Sequence, residues 1–185
     1  PARIEGRYTL LERLSPAHAA PLFAAYEGHD WVWDYMPVGP FASLEAFQDW
    51  LVQAATRDDP MFYAIRDGDS GAWVGFASFL RIDPAVGSIE VGFIAMSPAL
   101  QRTRAATEAI YLMMQWAFDA GYRRFEWKCD ALNAPSRRAA RRFGFAFEGV
   151  FRQATIVKGR NRDTAWFAVI DRDWPQLRAA YETWL

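Results

Sequence analysis

Cysteine is nearly absent: Cys129 is the only one in 185 residues. No intramolecular disulfide can form, and a reducing compartment is expected. Net charge is also small, formally -1, so no global field draws the chain to nucleic acid or to an anionic membrane. No apolar run nears the roughly 20 residues of a membrane span, and no signal-peptide pattern is seen. Repeats, low-complexity segments and linkers are missing. His18 and His29 are the only histidines, and no metal site is expected. These absences leave one soluble, cytoplasmic domain over residues 1–185 as the expectation, with neither membrane nor nucleic acid as primary partner. What is present is apolar: 52% hydrophobic and 16% aromatic residues fill a substantial core and exclude disorder over most of the length. Ile4–Arg7 spells IEGR, like a protease-cleavage scar. It reads as native because GRYTLLERLSP runs straight into a strand pattern.

Periodicity then predicts the elements. Tyr8–Leu14 suits an opening strand. Ser15 followed by Pro16 starts a helix through Leu22, Phe23 and Tyr26. An aromatic loop follows, GHDWVWDYMPVGPF. Ser43 caps a second helix with Leu44, Phe47, Leu51 and Ala54 on one face. MFYAIRD and GAWVGFASFLRI read as strands around the turn DGDSG. SIEVGFIAM is a further strand, with Glu90, Gly92, Ile94 and Met96 expected on one face. Ala106, Ile110, Met113, Ala117 and Ala120 mark an amphipathic helix that stops at Gly121. RFEWKC alternates strictly. NAPSRRAARRFGF is a short helix with Pro135 near its start and Gly144 at its end. Two strands around a Lys158–Asn161 turn and a helix over Asp173–Leu185 complete the chain. The expected fold class is α+β: a mixed, mostly antiparallel sheet with helices on both faces.

One helix start stands out. Gln101, Arg102, Thr103 and Arg104 open it without an acid, although acidic residues favour a helix N-terminus. A helix that begins just past a strand presents free N–H groups and its positive dipole end. Arg102 and Arg104 add full charges, and Thr103 adds a hydroxyl. An external anion of pyrophosphate type fits that set; two solvated arginines are the plain alternative.

These residues carry a resemblance. The chain resembles the GNAT N-acetyltransferases, and within them the RimJ/RimL-like branch, over nearly its whole length. The family's Q/R-x-x-G-x-G/A reads here Gln101-Arg102-Thr103-Arg104-Ala105-Ala106, with Arg104 in the glycine slot. The branch's N-x-x-S and G-F-x-x-E-G are matched by Asn133, Ser136, Gly144, Phe145, Glu148 and Gly149. The resemblance implies a GNAT-like sheet, acetyl-CoA as acetyl donor, and direct attack by a primary amine. Cys129 is then not needed as a nucleophile.

It also implies coenzyme A contacts at Ile94, Met96, Gln101, Arg102, Thr103, Arg104, Ala105, Ala106, Asn133 and Ser136. Among the nearby arginines, Arg137 and Arg141 are the phosphate candidates; Arg138, Arg142 and Arg152 read as a solvated face. A tyrosine that many members carry four residues before Gly144 is Ala140 here, which leaves Ser136 as candidate acid. Glu90 is the candidate general base, through water, with pairing to an arginine as the alternative. Glu148 is a weaker candidate and reads as structural. Trp31, Trp33, Asp34 and Tyr35 are the expected acceptor contacts, with a hydrophobic plug as the alternative. The acceptor is a peptide or protein N-terminus or a small amine. An α-amine, with pKa near roughly 8, is an easier nucleophile at neutral pH than a lysine near roughly 10.4. A non-catalytic acyl-CoA-binding sensor is the rival function. Monomer or homodimer is expected.

Overall fold

The computed structural model describes residues 1–185. Strands β1 (Arg3–Glu5) and β2 (Thr9–Arg13) lead through a 3-10 turn, Pro16–His18, into α1 (Ala19–Tyr26). A second 3-10 turn, Asp30–Trp33, lies in the aromatic loop before α2 (Leu44–Ala55). Three strands follow: β3 (Met61–Asp67), β4 (Trp73–Asp83) and β5 (Ser88–Met96). The chain then alternates through α3 (Arg104–Asp119), β6 (Arg124–Asp130) and α4 (Ala134–Arg142). Strands β7 (Ala146–Val157) and β8 (Arg160–Ile170) form a hairpin, and α5 (Trp174–Trp184) closes the chain.

All eight strands share one sheet, in the order β1-β2-β3-β4-β5-β6-β8-β7. Only β5 and β6 pair in parallel; the other neighbours are antiparallel. The expected mixed sheet with helices on both faces is what forms. One face carries the larger core, where Ile110, Met113 and Ala117 of α3 meet Phe79, Phe125, Phe167 and Val169. Helices α1 and α2 cover part of the other face with an aromatic cluster that includes Tyr26, Trp33, Phe47, Phe62 and Phe76.

Local chemistry explains the helix starts. The Ser43 side chain accepts from Ala46 N, Thr103 from Ala106 N and Asn133 from Ser136 N, each relieving one orphan donor of a first turn. Ser15 does so with an unusual partner, since His18 Nδ1 reaches back to accept from Ser15 N at 3.0 Å. His18 is thereby buried, edge-on to Trp73 at 4.3 Å.

Two sequence expectations change. An unexpected strand, β1, precedes the expected opening one and takes in the first half of IEGR, with Ile4 paired to Leu11. Three residues were too short a run to announce themselves by alternation. The second change matters more. Glu90 does not share a face with Ile94 and Met96. The β4–β5 register shifts between Phe76 and Ser78, and Phe93 takes φ of 46°. This bulge adds one residue, so Ile94 and Met96 turn to the α3 core while Phe93 and Ala95 join the aromatic cluster.

Candidate active site

The parallel pair is short. It runs from Ser88 opposite Arg124 to Val91 opposite Trp127 and then stops. Beyond it, Gly92–Met96 of β5 have no partner on the β6 side. The two strands therefore part into an opening at their carboxyl ends, where open sheets bind ligands. Helix α3 starts just past one branch and α4 just past the other.

At α3, the loop is built by the residues expected to bind cofactor. Gln101 Nε2 donates to Met96 O at 2.9 Å and ties the loop to the strand end. Arg102 takes φ of 63°. Thr103 Oγ1 accepts from Ala106 N at 3.1 Å. The N–H groups of Arg102, Arg104 and Ala105 donate to no protein acceptor. Three free amides at a positive helix end form an anion cradle. Arg104 turns away from it: its guanidinium lies 5.4 Å over the Tyr8 ring, with Nη1 3.2 Å from Tyr8 Oη.

At α4, Ser136 N donates to the Asn133 cap, and Ser136 Oγ accepts from Trp127 Nε1 at 3.0 Å. The hydroxyl keeps its own proton, with the buried Cys129 sulfur as a neighbour. Arg137 and Arg141 pack over Phe147, at 5.7 and 5.8 Å, and Arg137 also donates to Ala131 O. Arg142 instead reaches α3, where Nη1 meets Thr107 Oγ1 at 3.1 Å. The last residue of α4 thus reaches the start of α3, and Arg142 stays exposed there, in keeping with its sequence reading. Helical spacing alone did not tell which face of α4 turns to α3.

The opposite face carries a chain of alternating charge across four strands. Arg81 Nη1 lies 2.7 Å from Glu90 Oε2, and Lys128 Nζ 2.9 Å from the same oxygen. Lys128 Nζ is also 2.8 Å from Glu126 Oε2. Arg124 joins Glu126 Oε1 at 2.6 Å to both carboxylate oxygens of Glu148. Lys128 also sits 3.9 Å over the Trp166 ring. Burial pushes the Glu90 carboxyl above its ordinary value, against the pull of Lys128 and Arg81. Burial acts likewise on Glu126, yet Lys128 and Arg124 together hold that group below its ordinary value. The hydrogen bond to Arg124 lowers Glu148, which fits its structural reading. Burial pushes the Cys129 thiol up, which disfavours the reactive thiolate.

Three segments ring the opening on this side. Lys158 Nζ, at the tip of the β7–β8 hairpin, donates to Trp33 O at 2.8 Å. Tyr35 Oη donates to Leu132 O, between β6 and α4, at 3.3 Å. Of the expected acceptor residues, Trp31 and Tyr35 are exposed, at 51% and 41%, and Asp34 is exposed with them. The Trp33 side chain is 3% exposed and packs edge-on to Tyr26 and Phe41 in the core.

Arg81, Lys128 and Trp166 were missed in the sequence. RFEWKC did carry a signal for Lys128: with Phe125, Trp127 and Cys129 inward, it must share Glu126's face. The arginine partner weighed for Glu90 does form, in Arg81, although nothing in the sequence named that arginine.

Fold and site together define an α+β protein with an opening, edged by three free helix amides, at the end of its one parallel strand pair. Residues 9–146 match the acetyltransferase (GNAT) domain, and the chain belongs to that family. A GCN5-related N-acetyltransferase from Brucella melitensis is 49% identical, with a TM-score of 0.96 over 98% of this chain and 84% of its own. A GNAT-family protein from Chromobacterium violaceum is 45% identical, with a TM-score of 0.89 over 94% of this chain and 88% of its own. The fold extends to the Salmonella typhimurium acetyl transferase that modifies the N-terminal serine of ribosomal protein L7/L12. That protein is 22% identical, with a TM-score of 0.77 over 91% of this chain and 98% of its own. No curated protein matches the chain by sequence.

Proposed function

We propose that the protein is an acetyl-CoA-dependent N-acetyltransferase that acts on a primary amine by direct attack. The carrying observation is that the parted strands have complementary chemistry on their two faces. On the α3 and α4 face lie three free amides and the Ser136 hydroxyl. On the other face lies Glu90, 3% exposed. Acetyl-CoA supplies an activated thioester. The cradle fits its pyrophosphate: the amides of Arg102, Arg104 and Ala105 would hold it, with Arg142, which reaches Thr107 on α3, as a further cation.

Ser136 accepts from Trp127 and keeps its own hydroxyl proton, which suits a leaving thiolate or a pantetheine oxygen. A thiol with pKa near roughly 8.5 leaves fairly well unaided, so this help is modest. Glu90 takes the amine's proton, through water. Trp31, Asp34 and Tyr35 border the acceptor side, and Asp34 suits an ammonium before it loses its proton. The acceptor is a peptide N-terminus or a small α-amine. The likeness to the L7/L12 enzyme is in line with an N-terminal substrate, at the level of fold. We read residues 1–185 as a single working domain in the cytoplasm.

The test is a mass-spectrometric screen of amines and N-terminal peptides incubated with acetyl-CoA. Acetylated α-amines are expected. If coenzyme A stabilises the protein yet no amine is acetylated, the sensor reading replaces this one.

A further inference from the structure

We propose that Lys128 is a positioning residue for proton transfer: with Arg81 it occupies one oxygen of Glu90 and leaves the other aimed into the opening. The proposal rests on the reading of Glu90 as the base.

Register sets the problem. Glu90 lies directly opposite Glu126 in the parallel pair, and both are largely buried. Two carboxylates side by side repel, and the second would push the first toward its neutral form. Lys128 lies between them and contacts Oε2 of each. Its own freedom is small. The side chain is 7% exposed, and the Trp166 ring faces the ammonium at 3.9 Å. Phe151 stacks on Trp166 at 4.4 Å. The ring thus meets both the ammonium and a phenyl. The ammonium's three donors have two carboxylates and one indole face to meet.

Arg81 completes the clamp from the other side. The β4–β5 register shifts between Leu80 and Asp83, and Arg81 takes φ of 47° there. The Asp59 carboxylate holds this bulge by accepting from Arg81 N and Ile82 N at 2.9 and 3.0 Å. The bulge directs Arg81 back over Glu90 Oε2. Arg81 of β4 and Lys128 and Glu126 of β6 are the charged groups that meet Glu90; Arg124 and Glu148 lie further along the chain.

Oε1 is left over. It has no hydrogen-bond partner, yet it is not sealed, since the buried side-chain polar atoms without partners are Ser97 Oγ and Trp166 Nε1. It leans along β5: a Cβ on Gly92 would stand 3.3 Å from Oε1 and 2.9 Å from Leu80. Gly92 is the first residue past the last β5–β6 pair. The free oxygen thus faces the parting of the strands.

The test is a carbon-13 NMR titration of side-chain carboxyls in glutamate-labelled protein, with the Glu90 signal assigned by Glu90→Gln. Lys128→Met should raise the Glu90 midpoint by about one pH unit or more, since a cation next to a carboxylate commonly lowers its pKa by 1–3 units. Lys128→Arg should bring it back most of the way. An unchanged midpoint in Lys128→Met overturns the proposal. Should Lys128→Met fail to fold, Arg81→Gln at the exposed half of the clamp is titrated and judged in the same way. Turnover separates the two readings, with acetyl-CoA and an amine from the screen. If Glu90→Gln keeps normal turnover, the base reading fails whatever Lys128 does. If Glu90→Gln loses turnover while Lys128→Met leaves the acidic limb of the rate profile in place, only the positioning role fails.

Discussion

Arg104 stands where the family signature has glycine, and its guanidinium has found a partner inside the chain. It lies over Tyr8, whose hydroxyl donates to Leu185 O at 2.9 Å, so it braces the N-terminal strand region against the C-terminus. The guanidinium only donates, so it could not satisfy the amides of the cradle, and turned to Tyr8 it leaves them unobstructed. We therefore expect Arg104→Ala to keep coenzyme A affinity within about threefold. It should also lower stability by about 0.5–1 kcal/mol, the scale of an exposed cation–π contact. A tenfold loss of affinity by calorimetry would show instead that Arg104 serves the phosphates. Arg142 is the contrasting case. It spans from α4 to Thr107 on α3, beside the cradle. A charge-assisted contact contributes roughly 1.5–3 kcal/mol, so Arg142→Ala should weaken coenzyme A binding about tenfold or more. Unchanged binding would return Arg142 to the solvated face.

Elements were legible where one rule governed a whole segment. The three-to-four spacing of Ala106, Ile110 and Met113 gave α3, and the strict alternation of RFEWKC gave β6 and the side on which Lys128 emerges. Rules that assume an unbroken period failed at the bulges. SIEVGFIAM alternates perfectly as letters, yet Phe93 at φ of 46° adds a residue and turns Ile94 and Met96 to the opposite face from Glu90. WVWDY likewise looks like alternating display, but a 3-10 turn puts Trp33 inside and leaves Trp31 and Tyr35 out. The β4 bulge had no local signal, because its support, Asp59, comes from the loop before β3. The dependence is testable. Asp59→Ala removes the acceptor for two backbone N–H groups in an exposed setting, at about 1–2 kcal/mol. For a chain of this size that is a fall in melting temperature of about 2–8 °C. The Glu90 carboxyl should titrate higher in the same variant, because Arg81 is no longer aimed. A normal Glu90 midpoint would mean that the bulge does not control Arg81.

The whole molecule divides its work between the two faces of one sheet. The free amides of α3 lie on the face packed against the larger core, and the proposed acceptor side lies on the face where the charged chain crosses the strands. Sequence motifs exposed the first, because helix N-termini are local. The second stayed hidden, because Arg81, Glu90, Glu126 and Lys128 come together only through strand order. The charged chain also sets a pH dependence with opposing signs. Glu126 and Glu148 are held below their ordinary value. Their contribution is present above that value and is lost as pH falls through the lowered one. Glu90 is raised, so its contribution runs the other way and fades as pH rises through its folded value. Arg124→Gln should therefore flatten the acid-side loss, as read by urea unfolding between neutral pH and about pH 3; an unchanged slope would locate that loss elsewhere. Ligand binding tests the other face. A ligand seated on the free amides at the start of α3 braces that helix, a central part of the larger core. Binding that favours the folded chain at a hundred times the dissociation constant adds about 2.7 kcal/mol. For a chain of this size that is a rise in melting temperature of about 5–10 °C. The rise should persist in Lys128→Met, whose change lies on the opposite face, and shrink in Arg142→Ala. No rise with millimolar coenzyme A or acetyl-CoA in the unaltered protein would rule out the cradle as a coenzyme A site.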